Sequence, residues 1–189
     1  KKVGTYDDPA TARLNESVYS FWFRTVFGSI QSAWRIEQNT QIKKGHPAIG
    51  FRNQMIQFGI IEIGLLSAIG VFFGMKSMVL FFVAAVIGLL LLETVNYIEH
   101  YGLSRKEISP GNFEKVQPKH SWNSDYPIGR ILLFELTRHS DHHYKASKKY
   151  QWLEHMEGSP QLPAGYPGMM LLSLLPPFWF RVVNKRIPA

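Results

Sequence analysis

Two long apolar runs lying almost back to back limit this chain more than any other feature of it. Met55 to Phe73 is 19 residues with one charge, Glu62. As a helix rising ~1.5 Å per residue it reaches about 28 Å, close to the thickness of a bilayer's hydrocarbon. After Gly74-Met75-Lys76-Ser77, the run Met78 to Leu92 is fifteen apolar or small residues, and helical continuation through Glu93-Thr94-Val95-Asn96-Tyr97 lengthens it to about 20. Four connecting residues cannot carry the chain back across a membrane, so the spans must be antiparallel neighbours in a hairpin over 55–97. Soluble cores rarely need two such runs.

Basic residues orient the hairpin. Arg35, Lys43, Lys44 and Arg52 precede the first span and Arg105 and Lys106 follow the second, against Lys76 alone at the tip. Both open ends are therefore expected on the cytoplasmic side. The net charge of +7 follows from the same bias and from anionic lipid headgroups. No Arg-rich recognition helix or RNA-binding aromatic motif accompanies it, so nucleic acid is not an expected partner and membrane lipid is. The chain has no cysteine, which excludes disulfides, iron–sulfur clusters, thiolate-bound haem, cysteine zinc sites and thiol catalysis together. Any metal must sit on His, Asp or Glu.

Four segments follow from these patterns: 1–54 helical or interfacial, 55–97 the transmembrane hairpin, 98–167 a cytoplasmic region rich in histidine, and 168–189 an apolar C-terminal interfacial segment. The fold expected is all-α, an integral membrane hairpin with a cytoplasmic helical metal-binding region. Ala12 to Gln38 reads as one helix, with Asp7 or Asp8 as cap and Pro9 near its start. Its aromatics Tyr19, Phe21, Trp22, Phe23, Phe27 and Trp34 surround the helix, which suits either the membrane interface or ordinary packing. Pro176-Pro177 breaks the last apolar stretch, so it dips into the membrane or lies flat on it. The chain opens at Lys1 with no initiator Met and no signal-like run, and is read as a processed or fragmentary product.

The chemistry gathers between Glu93 and His143. In Arg138-His139-Ser140-Asp141-His142-His143, three imidazoles stand at i, i+3 and i+4, offsets that share a helix face. Crowding three such groups is unfavourable when they are charged and productive when they bind metal. The apolar Ile131 to Leu136 is expected to form the body of that helix, with Glu135 one turn ahead of His139 as an acceptor behind it. Glu93, Asn96, Tyr97 and His100 recur at three- and four-residue spacing at the cytoplasmic end of the second span. Ionisable groups at that depth normally face a bundle interior or a site, so His100 is expected to face the metal. His120-Ser121-Trp122-Asn123-Ser124-Asp125, in a loop after Pro118, can bring Asn123 or Asp125 to the same place. His46 and His155 read as structural and surface residues.

Asn96-Tyr97-Ile98-Glu99-His100-Tyr101-Gly102-Leu103 resembles the signature of the integral-membrane alkane monooxygenases, and the two later histidine-bearing boxes resemble theirs in the same order. The likeness continues through Lys149-Tyr150-Gln151 and Ser159 to Tyr166, and is seen again at Asp8 to Arg13. The resemblance implies two non-haem iron ions held mainly by histidines at the cytoplasmic mouth of a six-span bundle in the inner membrane. It also implies O2 and electrons from rubredoxin used to hydroxylate the terminal carbon of a medium- or long-chain alkane. By position, His100, His139, His142 and His143 would be iron ligands, and Glu93, Asn96, Glu99, Asp125 and Asp141 would orient them. Two departures stand out. Tyr126 follows Asp125 where a His or other polar residue is expected, and the family's upstream His-x-x-x-His and His-x-x-His-His boxes have no counterpart, His46 being the only histidine before His100. The missing boxes would have to come from an upstream segment or another chain. The alternatives are a membrane acyl-chain desaturase or hydroxylase, and a metal-binding membrane fragment without activity.

Overall fold

The computed structural model describes residues 2–188. Their contacts form two compact units, one of Val26–Leu91, the other of the stretches before and after it. Two helices, α1 (Val18–Lys43) and α3 (Met75–His100), run from one unit into the other.

Within Val26–Leu91, α2 (Gln54–Phe73) starts where Asn53 takes the cap. Its side-chain oxygen accepts from the backbone N–H of Met55 and Ile56, and its amide donates to Ala48 O. Glu37 on α1 accepts from Gln54 N and from Gln41 Nε2, which also donates to Arg52 O, so the end of α1 is clamped to the start of α2. No residue of α2 is buried. Ile63 is 67% and Phe72 79% exposed, the apolar outer face expected of a helix in a membrane. Both α2 and α3 are long and apolar enough to cross a membrane. The connection between them is shorter than the sequence suggests: Gly74 alone separates them, at φ 86°, because Met75, Lys76 and Ser77 all tolerate helix and only the glycine must turn left-handed. Met78 lies against Gly70 at this turn.

The other unit is built on the last two turns of α3, where Glu93, Thr94, Tyr97, Ile98, Glu99 and His100 are buried. Its core is aromatic: Phe21, Tyr97, Tyr101, Trp122, Tyr166 and Trp179 are fully buried, and the rings of Tyr97, Tyr101 and Trp179 lie within 5.3 Å of one another. Trp179 Nε1 is buried without a hydrogen-bond partner among the described residues, but other polar atoms of this core are paired inside the unit. Tyr97 donates to Glu16 O, Tyr101 to Asn184 Oδ1, and Trp122 Nε1 to Tyr101 O. Helix α1 begins six residues later than Ala12: Ser17 accepts from Ser20 N as the cap, and Asp8 instead closes a turn with Ala10 N and the Thr11 hydroxyl.

After α3, Gly102 (φ 68°) turns the chain away, and a Cβ there would stand 2.7 Å from Ile187 Cδ1. A small antiparallel hairpin follows, β1 (Glu107–Ser109) and β2 (Asn112–Phe113). Pro110 and Gly111 (φ 74°) sit at its turn, the residue types a type II turn needs. Helices α4 (Pro127–Leu132), α5 (His139–Tyr144), α6 (Tyr166–Ser173) and α7 (Pro176–Val183) complete the unit. The proline pair opens α7 at its first turn, where a missing N–H costs nothing. The helix expected to run unbroken from Ile131 into the histidines is instead interrupted. Phe134 (φ 48°) and Glu135 (φ 61°) turn left-handed, Glu135 N closes back on Arg130 O, and the Arg130 guanidinium clasps the Glu135 carboxylate at 2.8 and 2.9 Å.

Candidate metal centre

His100 ends α3, and His139 and His143 lie one turn apart on α5. One ring nitrogen from each lies within 4.8 Å of the others. Nitrogens sharing a single ion at about 2.1 Å stand about 3 to 4 Å apart, so small adjustments would bring all three onto one ion. The Nε2 atoms of His100 and His139 are 3.2 Å apart. Two imidazoles face each other this way either over one proton or with both lone pairs turned on a cation. Nδ1 of His100 and Nδ1 of His139 are buried with no hydrogen-bond partner. Burial, and then the neighbouring His100, His143 and His142, hold His139 well below the ordinary imidazole value, so its ring is neutral and a lone pair is available. The donor set therefore fits a transition metal such as iron, which imidazole suits.

His142 stands outside this group, its ring 5.8 Å from that of His139 and 5.6 Å from that of His143. Positions i+3 and i+4 are equally close to i on a helix, and it is the packing of α5 that turns His143 inward towards His100, at 5.0 Å between rings.

The carboxylates named from the sequence divide. Glu99 is 1% exposed; its Oε2 lies 3.3 Å from His139 Nε2 and its Oε1 accepts from the Tyr166 hydroxyl at 3.0 Å. Burial and then Glu99 raise the Tyr166 hydroxyl well above its ordinary value, keeping it a donor. Glu93 accepts from Thr25 and from Asn96, one turn or more before His100. Asp141 is buried on α5, but its Oδ2 accepts from Lys148 Nζ and Glu154 N, both at 2.8 Å. Asp125 meets His155 Nδ1 at 2.6 Å and Arg138 Nε at 3.4 Å. Glu135, expected behind His139, is instead held by Arg130 and Arg138.

The remaining histidines are occupied elsewhere. His120 is buried, but its Nδ1 accepts from Gln117 N and its Nε2 meets Glu114. His46 contacts Arg52 at the surface. Tyr126 is half exposed and donates to Pro163 O. Tyr166 was given no role in the sequence and completes the surroundings, its pairing with Glu99 spanning 67 positions; Ser159, likewise given none, accepts from Asn123. Neither carries a local signal.

A family model described as fatty acid desaturase matches residues 1–173. The chain is 41% identical over 187 residues to alkane 1-monooxygenase 1 of Pseudomonas aeruginosa, covering 99% of this chain and 49% of that protein. It is 38% identical to the alkane 1-monooxygenase of Acinetobacter baylyi, over 99% of this chain and 46% of that one. The hydroxylase component of a xylene/toluene monooxygenase of Pseudomonas putida is 28% identical, over 94% and 47%. The chain thus spans about half the length of the relatives it matches.

Proposed function

The chain belongs to the fatty acid desaturase family, and on that premise we propose that it is part of a membrane monooxygenase that hydroxylates the terminal carbon of medium- or long-chain alkanes with O2 and electrons from rubredoxin. The observation that carries this reading is the meeting of His100, His139 and His143 at the end of an apolar helix. The 41% identity to an alkane 1-monooxygenase over nearly the whole chain supports the substrate class. Acyl-chain desaturation is the second reading, favoured by the description of the family model.

On this reading the site would hold two iron ions at the cytoplasmic face of the inner membrane. His100, His139 and His143, which meet, and His142 on the same helix would be the residues of this chain that hold them. Iron bound there supplies activation of O2 and transfer of its oxygen. The chain's own residues do the rest. Glu99, held by Tyr166, puts Oε2 3.3 Å from Nε2 of His139, the nitrogen that faces His100, so it would stand at the ion's edge beside that ring rather than hold the ring from behind. Glu93 and Asn96 hold each other and Thr25 ahead of His100. Asp141 pins the back of α5 to Lys148 and Glu154, and Asp125 ties Arg138 to His155. Apolar walls suit a substrate with nothing to hydrogen-bond and keep water from the oxidant.

Two irons need roughly eight ligands when carboxylate bridges are scarce, and four histidines are proposed here. Glu62 is exposed on α2, and a carboxylate within a span calls for a bundle interior to face. Further spans carrying further histidines are therefore part of the proposal. Iron per chain and octane turnover with a rubredoxin reducing system test it. Residues 1–189 alone should hold iron loosely and not turn over, and the longer protein should hold two irons and be active. Two tight irons with turnover in the short form would refute this part of the account.

A further inference from the structure

Helix α5 has only six residues, and its cap, Arg138, makes no side-chain capping bond. A helix this short is not stable by itself, and the N–H groups of its first turn need acceptors. One is supplied from a distant strand-like segment. Asn123, wholly buried, accepts from Ser140 N through Oδ1 at 2.9 Å. Its Nδ2 donates to Ser159 Oγ at 2.9 Å, its backbone N–H donates to Pro160 O, and its carbonyl accepts from Leu162 N. All four polar groups of this residue are used. Next to it Ser124 N donates to Thr137 O, which fastens the approach to α5 from the same segment. Upstream, Trp122 N donates to Glu99 O, so the segment that holds the start of α5 also holds the end of α3.

We propose that Asn123 is a positioning residue for the metal centre: its amide oxygen, bonded to the N–H immediately after His139, sets the angle at which α5 presents His139 and His143 to His100. A direct bond to the peptide between His139 and Ser140 leaves little rotation available to α5. Removing it frees an end that has no cap of its own, and a shift of α5 by a fraction of a turn would carry His143 away and His142 in. Ser159 accepts from the Nδ2 end of the same amide, and among the described residues its hydrogen bonds go to Asn123, Met156 and Gln161, none of them on α5.

The inference rests on the reading of His139 and His143 as metal ligands, and the experiment separates the two. Co(II) is titrated into the metal-stripped full-length protein in detergent, and affinity and visible ligand-field spectrum are recorded for the wild type and for His139→Ala, Asn123→Leu and Ser159→Ala. His139→Ala should lose the site; if it keeps the wild-type spectrum, the ligand reading itself fails. With that control satisfied, Asn123→Leu should bind Co(II) about 10- to 100-fold more weakly, the usual effect of removing a group that orients a ligand, and with an altered spectrum. Ser159→Ala should leave affinity and spectrum as they are. An unchanged Asn123→Leu site, or an equal loss in Ser159→Ala, overturns the inference. Should Asn123→Leu not fold, Asn123→Ser, whose hydroxyl is too short to reach the Ser140 N–H, reads the same bond and is judged by the same outcomes.

Discussion

The Tyr166 hydroxyl donates to Glu99 Oε1 at 3.0 Å, while the other oxygen of the same carboxylate lies 3.3 Å from His139 Nε2. Tyr166 and Glu99 are both buried, so no water can replace the phenol when it is removed. Tyr166→Phe should therefore cost about 1–3 kcal/mol, lowering the melting temperature of the intact protein by roughly 2–4 °C for each of those kilocalories. A melt indistinguishable from wild type would mean that the carboxylate has another partner.

Glu16 and Arg24 form the other strong pair, Nε and Nη2 of the arginine each donating at 2.7 Å to one carboxylate oxygen. Burial raises the Glu16 carboxyl, but Arg24 and the Arg13 N–H outweigh it and hold the group below its ordinary value. A carboxyl whose pKa is depressed by folding stabilises above its unfolded value, about 4.3, and loses that contribution as pH falls through the folded one. Glu16→Gln should melt lower than wild type at pH 7, by about 1 kcal/mol, with the gap closing below about pH 4. A gap that is constant with pH would assign the loss to packing alone.

Much of this was legible in the sequence, and the exceptions have physical causes. The spans declare themselves because a bilayer demands about twenty apolar residues in a row, and α2 and α3 follow that demand to within a few positions. That His100, His139 and His143 come together was legible from spacing and the polar stripe on the second span. That His142, named with them, stands outside the group was not, since both it and His143 lie one turn from His139. The break before His139 was hidden because Phe134 and Glu135 take left-handed conformations without a glycine to announce it, held by an Arg130–Glu135 pair that a helix reading would have treated as surface charge. His155 read as an isolated surface residue because its partner, Asp125, is 30 positions away.

The orientation of the hairpin is open to direct labelling. Ser77 is partly exposed three residues after the Gly74 turn, and a cysteine there should react with an impermeant thiol reagent added outside intact cells. One at Lys44 should react only after the membrane is opened. The reverse pattern would invert the topology.

The histidines should sort by their contacts. His100→Ala, His139→Ala and His143→Ala should each release iron and abolish turnover, and His142→Ala should lose part of the iron. His46→Ala and His155→Ala should keep it, because neither ring belongs to the group of three that meet. His120→Ala should destabilise the Gln117–His120 turn and leave Glu114 short of one partner without releasing iron. Retained iron in the His139 variant beside loss in the His155 variant would move the metal centre elsewhere.

Hydroxylation and desaturation, the two outcomes open to this family, part company in the fate of oxygen. The full-length protein in lipid, supplied with reduced rubredoxin and 18O2, is given octane, and the products are read by mass spectrometry. The account predicts 1-octanol carrying one 18O atom, formed by wild type and not by His139→Ala. An alkene without label, or alcohol whose oxygen comes from water, would contradict it.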